Sequence, residues 1–307
     1  MFDLIIIGGG PAGITAGIYT ARQKLKTLLI TKTFGGQVAK KAVSIENYPG
    51  FEEISAMELI ERFKNHLKKQ ESMEILENEE VTKLEKNNNH FLVWTKNKDK
   101  FEGKAVIIGS GTDPRPLEVP GEKEFIGKGV SYCAVCDGAL FPNKKVAVIG
   151  GGNAGFETAL LLSNIVKKIY ILEYDSEVKA DKRNQERVEK TGKAEIITEV
   201  DLKRIEGEKF VNSIIYQDKK TGQEKTLAVE GVFVEIGSQP ATSFIKDLVD
   251  FNEKDEIVVE FETCQTKTPG LFAAGDVNVG RFKQIITACG EGAKAALAAF
   301  EYIQRLK

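Results

Sequence analysis

The stretch that decides the fold is FDLIIIGGGPAG, residues 2–13. A short apolar run with strand character stops at Gly8, three glycines follow, and ITAGIYTA from Ile14 reads as a helix of small and apolar residues. In a G-x-G-x-x-G turn the first glycine makes the tight bend. The second lets backbone approach a pyrophosphate, and the third allows close packing of helix on strand. The helix start then offers free N–H groups and the positive end of its dipole to phosphate. Gly8, Gly10 and Gly13 fit that spacing, and a second strand, KTLLIT, follows from Lys26.

The unit occurs twice. KVAVI leads into Gly150, Gly152 and Gly155, then the helical FETALLL and the strand KIYILE from Lys168. One such turn is compatible with a mere tight bend. Two, each set between a strand and a helix, point to two dinucleotide sites in a doubly wound α/β protein. Two dinucleotides on one chain imply a flavin and a nicotinamide, because one can take hydride from the other.

The remaining sequence divides around these units. ISAMELIERFKNHLKKQ spaces Ile60, Phe63 and Leu67 as an amphipathic helix. Residues 79–108 read as strands with a turn at Asn87-Asn88-Asn89. TDPRP (112–116) and GSQPATS (237–243) read as hinge loops that bracket the second unit, so the first must be completed by the tail. The expected organisation is 1–113 as the first part of a flavin domain, 114–242 as an inserted nicotinamide domain, and 243–307 as the rest of the flavin domain. In the tail, GLFAAGDVNVG is a strand ending at Gly275-Asp276. The small residues of KQIITACGEGAKAALAAF suit a closely packed helix starting near Gln284. Asp276 is placed to accept from ribityl hydroxyls, or else is a plain turn aspartate. The helix dipole would aim at a flavin ring.

Composition sets the outer bounds. The 307 residues carry 43 basic and 45 acidic side chains, a balance that gives no field for nucleic acid or an anionic membrane surface. Four cysteines are too few for a disulfide-stapled secreted chain, and MFDLIII lacks a basic leader. No apolar run approaches the ~18 residues of a membrane span. A cytoplasmic protein is the expectation.

CAVCDG, residues 133–138, lies between the first hinge and the second glycine turn. It has three readings: half of a zinc site, two inert thiols, or a redox-active dithiol. Zinc wants four ligands, and Cys264, Cys289, His66 and His90 do not form a second pair. The C-x-x-C spacing allows a small, exchangeable disulfide. Asp137 beside it is a proton relay or a turn residue before Gly138.

These motifs in this order resemble the low-molecular-weight thioredoxin reductase family over nearly the whole chain: GGGPAG, Gly35-Gly36-Gln37, IENYPGF around Asn47, CAVCDG, KVAVIGGGNAG and GLFAAGDVNVGRFKQI. The resemblance implies FAD in the outer domain, a nicotinamide dinucleotide in the inserted one, and a homodimer. It assigns FAD contacts to Gly8, Gly10, Pro11, Ala12, Gly13, Gly35, Gly36, Gln37, Asn47, Gly111, Gly275, Asp276, Lys283, Gln284 and Ile285. Contacts to the nicotinamide dinucleotide fall on Gly150, Gly152, Asn153, Ala154, Gly155, Glu173, Tyr174 and Lys179. Cys133 would attack the substrate disulfide, Cys136 would face the flavin, and Asp137 would be the acid. Gly109-Ser110-Gly111 departs from the family's usual Ala-Thr-Gly and is expected to leave the turn intact.

A nearer likeness, in GGGNAGFETALLL, ILEYDSEVKAD, FVEIGSQP and KQIITACGEGAKAAL, is to the flavoprotein component of alkyl hydroperoxide reductase. That protein normally carries an N-terminal thioredoxin-like module. This chain starts at the flavin unit, so a separate thioredoxin- or glutaredoxin-like protein, itself upstream of a peroxiredoxin, is the expected partner.

The usual thioredoxin reductase places His-Arg-Arg and a further Arg where this chain has Glu173-Tyr174-Asp175 and Lys179. Glu173 falls 23 residues after Gly150, near the spacing at which an acid binds a ribose 2′-hydroxyl. A carboxylate there repels a 2′-phosphate, so NADH is the expected donor, with Lys179 leaving some NADPH use open. The alternative is an exposed acidic loop. The dithiol and the second glycine turn share one domain, and the two hinges imply its rotation between steps. Three functional alternatives stay open: a dedicated peroxiredoxin-system NADH reductase, a ferredoxin-dependent flavin disulfide reductase, and a non-enzymatic flavin redox sensor.

Overall fold

The computed structural model describes residues 1–41, 44–245 and 247–306. It divides into two compact units, Met1–Asp113 with Gln239–Lys307, and Pro114–Ser238. The return crossover falls before Gln239 rather than after Thr242, because Ala241 is tied to the first unit. Its N–H donates to Gly111 O (3.0 Å) and its carbonyl accepts from Ser110 Oγ (2.8 Å). Part of each hinge segment is strand rather than loop: Thr112–Pro114 and Ser238–Pro240 pair as a two-stranded sheet. Pairing satisfies backbone groups that an extended Pro-rich connector would otherwise leave to water.

The first unit is built on a seven-stranded sheet. Its order is Met73–Glu77, Thr27–Phe34, Phe2–Gly9, Lys100–Ile108, His90–Thr95, Val81–Asn87, with Leu271–Ala273 also on Lys100–Ile108. Lys100–Ile108 divides one edge between two partners. Its first half pairs antiparallel with His90–Thr95, and its last three residues pair parallel with Leu271–Ala273. The run LIII is continuous rather than alternating because both faces are covered. Leu4 and Ile6 enter a core with Ile14, Leu29, Leu67 and Ala295 under the helices. Ile5 and Ile7 enter another with Val81, Phe91, Val93 and Val277. The expected turn lies between the strands ending at Asn87 and starting at His90.

Two helices, Pro11–Arg22 and Ile285–Arg305, cover one face of that sheet. Their small residues allow close approach. A Cβ on Gly292 would lie 2.2 Å from Ala12 O, and one on Gly17 would lie 2.6 Å from Leu67 Cδ1.

The second unit repeats the plan on a smaller scale. Five parallel strands run in the order Val130–Ser131, Gly231–Val234, Lys145–Ile149, Lys168–Leu172, Ala194–Ile197. Val146 and Val148 pack with Phe156, Ala159 and Leu162 of the helix Asn153–Ser163. Ala147 and Ile149 pack on the other side with Ile205, Val211 and Ile214 of a three-stranded antiparallel sheet, Val200–Gly207, Val211–Asp218 and Glu224–Ala228. Among the described residues no helix is long and apolar enough to cross a membrane.

Gly292→Ala tests the helix pairing. Overpacking against backbone should cost about 1–3 kcal/mol, read as a lower urea midpoint at unchanged slope. An unchanged midpoint would mean the helices can separate freely.

Candidate functional site

Both glycine turns have the geometry their spacing demands. Gly8 and Gly150 have φ of +114° and +116°, a region side chains avoid. A Cβ on Gly13 would sit 1.9 Å from Gly8 O, and one on Gly155 would sit 1.9 Å from Gly150 O. Each helix start is therefore pressed against the end of the preceding strand. Gly10 and Gly152, which precede the helices, face open space, and neither helix has a side-chain cap. Pro11, the first helical residue, has no N–H to satisfy.

The crevice at the strand ends of the first unit gathers the other expected residues. Gly35 N–H donates to Gly9 O at 2.8 Å, which brings Gly36 and Gln37 beside the turn. Gln37 Nε2 donates to Thr112 O (2.6 Å), while its Oε1 is buried without a partner. A Cβ on Gly275 would lie 3.0 Å from Ala12 Cβ, so the Gly275-Asp276 turn abuts the first helix. Asp276 is half-buried and accepts no hydrogen bond among the described residues. Asn47 Nδ2 donates to Gln284 Oε1 (3.2 Å), joining the segment before Tyr48 to the residue preceding the last helix. Ile285 packs with Ile45, Ile54 and Leu59. Lys283 Nζ donates to Asn278 O and pairs with Glu256 at 2.9 Å. The Gly109-Ser110-Gly111 turn is intact, with Gly109 N–H on Ile7 O at 2.8 Å.

Sequence reasoning missed two supports of this crevice. Asn278, 1% exposed, and Gly275 N–H both donate to Glu291 Oε2 at 2.8 Å, which sets the Asp276 turn from the last helix. Cys289 is buried at the start of that helix, where Tyr48 OH reaches its sulfur at 3.8 Å. Burial pushes the Cys289 thiol up, and pushes Cys264 up to about 11, so both stay protonated and unreactive at neutral pH. His66 is exposed on its helix.

In the second unit the acidic strand end folds back onto its glycine turn. Glu173 Oε2 accepts Gly151 N–H at 2.7 Å, and Oε1 accepts Asp175 N–H at 2.9 Å. Lys179 and Ala180 N–H donate to Gly151 O (2.9 and 3.1 Å), and Asn153 Oδ1 accepts Asp181 N–H at 2.8 Å. A carboxylate has about four lone-pair sites, so Glu173 keeps acceptor capacity beyond these two bonds. Lys179, the expected cation, is engaged with Asp175 at 2.6 Å, and Tyr174 is 56% exposed with Lys219 Nζ 3.5 Å from its ring centroid. Ala154 lies in the first turn of the helix beside Asn153.

The redox centre is a disulfide: Cys133 and Cys136 are joined at 2.08 Å. Cys136 N–H donates to Cys133 Sγ at 3.1 Å. Asp137 Oδ2 accepts from Ser131 Oγ at 2.6 Å. Upstream, Glu122 is 1% exposed and accepts from Leu117 N (2.6 Å), Glu118 N (2.8 Å) and the Tyr132 hydroxyl. Burial and the Glu122 carboxylate together push the Tyr132 hydroxyl well above its ordinary range.

The sequence profile described as pyridine nucleotide-disulphide oxidoreductase matches residues 2–292. The F component of alkyl hydroperoxide reductase in Staphylococcus aureus is 42% identical over 304 residues, covering 99% of this chain and 59% of that one. The chain thus spans well under two thirds of that relative. Thioredoxin reductases of Lactococcus lactis and T. acidophilum are each 38% identical, with TM-scores of 0.91 and 0.89. They cover 99% and 100% of this chain and 100% and 99% of their own.

Desolvation raises the Asp276 carboxyl above its ordinary range, with Lys283 opposing and Glu291 adding to the rise. A carboxyl raised by folding favours the folded state below its unfolded value of about 3.9, and that contribution is lost as pH rises through the folded value. Asp276→Asn should therefore raise the urea midpoint of the ligand-free chain at neutral pH. The gain should vanish in acid, and flavin retention should weaken. A neutral-pH midpoint no higher than that of the unsubstituted chain would contradict this.

Proposed function

The chain belongs to the pyridine nucleotide-disulphide oxidoreductase family, and from that premise we propose a thioredoxin-disulfide reductase-like flavoenzyme. It takes electrons from NADH in preference to NADPH. It passes them through FAD and the Cys133–Cys136 pair to a disulfide of a thioredoxin- or glutaredoxin-like protein. The observation that carries this reading is a C-x-x-C disulfide in the same unit as one dinucleotide turn, with a second such turn in the other unit.

The first unit's crevice suits FAD. Gln37 Oε1 and the Asp276 carboxylate are acceptors in want of donors, which ring N–H and ribityl hydroxyl groups supply. Gly8, Gly10 and Gly13 lead the helix start to the pyrophosphate, with Pro11, Ala12, Gly35, Gly36, Asn47, Gly111, Gly275, Gln284 and Ile285 around it. Lys283 serves indirectly, through Asn278. Gly150, Gly152 and Gly155 do the same for the nicotinamide dinucleotide, with Asn153 and Ala154 at the helix start and Glu173 on the ribose. When bound, the two cofactors supply a two-electron path to the disulfide.

The residues of the chain carry the exchange. After reduction, Cys133 thiolate attacks one sulfur of the partner's disulfide, bonds to it, and expels the other as a thiolate. Cys136 thiolate then attacks Cys133 Sγ, restoring the internal disulfide and expelling the partner's second thiolate. Two electrons leave with the partner, and the two expelled thiolates take up two protons, one of them from Asp137. The inserted unit turns about the two crossovers at Asp113 and Ser238, and two chains assemble as a homodimer. A second reading, a reductase dedicated to a peroxiredoxin system, is favoured by the 42% identity to the alkyl hydroperoxide reductase component.

Glu173 supports the NADH reading because its carboxylate, latched to the Gly151 turn, would repel a 2′-phosphate brought to it, while Lys179 is held by Asp175. Glu173→Gln keeps an oxygen for Gly151 N–H. It should lower the NADH-to-NADPH ratio of kcat/KM by about tenfold, the weight of one charged hydrogen bond. A clear NADPH preference in the unsubstituted chain would overturn the assignment. Cys133→Ser should abolish disulfide reduction while NADH still bleaches the flavin.

A further inference from the structure

Asp137 has two carboxylate oxygens, and the fold treats them differently. Oδ2 accepts the Ser131 hydroxyl at 2.6 Å, within the range of charge-assisted O–H···O⁻ bonds. No donor among the described residues reaches Oδ1. Ser131 is 4% exposed, so its hydroxyl must find partners inside the protein. It ends the strand Val130–Ser131, held in register by Phe233 of the neighbouring strand. It is thus fixed by the sheet rather than by the loop that carries the cysteines.

The hydroxyl's direction is also set. Cys133 N–H donates to Ser131 Oγ at 3.0 Å, which occupies a lone pair and leaves the hydroxyl hydrogen to point elsewhere. Two acceptors are in reach, Asp137 Oδ2 at 2.6 Å and Cys133 O at 3.3 Å. The shorter bond to a carboxylate is the stronger. One buried oxygen therefore ties the backbone of the proposed nucleophile to the side chain of the proposed acid. The bond survives a proton cycle: with Asp137 ionised or protonated on Oδ1, Oδ2 still accepts from Ser131.

We propose that Ser131 is the positioning residue of the redox centre. It holds Asp137 by Oδ2 so that Oδ1 alone carries the proton given to an expelled thiolate and regained from water. This rests on the reading of Asp137 as proton carrier given above. No electron or bond change occurs at Ser131 itself; the proton moves between Asp137 Oδ1, thiolate and solvent, and the disulfide chemistry is unchanged.

The test uses the full chain with its flavin, reduced by dithiothreitol and freed of it, so that no nicotinamide is involved. The measured quantity is the rate at which it reduces an aliphatic disulfide, whose expelled thiolate, unlike an aromatic one, takes up a proton at neutral pH. Ser131→Ala should slow this ~10-fold, a fraction of what general acid–base catalysis supplies. Ser131→Thr should stay within about twofold, since it restores the hydroxyl. The double variant with Asp137→Asn should be no slower than Asp137→Asn alone, because the two act as one unit. Flavin bleaching by NADH should match the unsubstituted chain in the single Ser131 variants. Ser131→Val against Ser131→Thr makes the same comparison at equal volume should the alanine variant not fold. A wild-type rate in Ser131→Ala, an equal loss in the Thr and Val variants, or losses that multiply in the double variant would overturn the proposal. If Asp137→Asn itself reduces the disulfide at full rate, the failure lies in the reading of Asp137 and the role of Ser131 falls with it.

Discussion

Everything in this chain hangs on one steric contact made twice: the α-carbon of the third glycine against the carbonyl of the first. At Gly13 and at Gly155 a single methyl group would fall 1.9 Å from that oxygen. With the contact in place, a helix begins immediately where a buried parallel strand ends, and its unpaired N–H groups open onto the crevice beyond the sheet. The rest of the first unit is arranged around that start. Gly35 bonds to Gly9, Gly109 bonds to Ile7, and the last helix closes on Ala12 through Gly292. A bulkier residue at Gly13 would displace the helix and every group that takes its position from it.

What the sequence makes legible is what short spacing encodes. The glycine turns, the doubly covered strands, the C-x-x-C and the helix after Gln284 each depend on neighbours within a few residues, so their patterns can be read directly. What it hides are pairings whose partners are chosen by the tertiary fold. Asn278 looks like an ordinary loop residue until Glu291 is brought to it across a helix turn. Ser131 looks like a strand-end hydroxyl until Asp137 curls back over it. The strand character of 112–114 and 238–240 is invisible because each supplies the other's hydrogen bonds over more than a hundred residues. The three-stranded sheet of the second unit escapes notice for another reason: its outer strands are mostly exposed or half-buried, and only the central strand carries a short buried run, at Ile214, Ile215 and Tyr216. The roles of single residues in the two crevices rest on family likeness more than on pattern, since acceptor groups such as Asp276 have no spacing of their own.

The two units also show how a repeat is turned to different uses. Strand register places Ile30 beside Ile7 and Leu172 beside Ile149, so the next residues, Thr31 and Glu173, occupy matching places. Each fills the space over its turn's middle glycine: a Cβ on Gly9 would meet Thr31 Oγ1 at 2.6 Å, and one on Gly151 would meet Glu173 Oε2 at 2.7 Å. One slot holds a neutral hydroxyl turned to a backbone carbonyl, the other a carboxylate latched to the turn itself. The proposed donor preference and the fastening of the turn thus rest on one side chain. Exchanging Glu173 for a cation would also remove the acceptor of Gly151 N–H. Such an exchange needs another clasp for the loop, so this position cannot vary for charge alone.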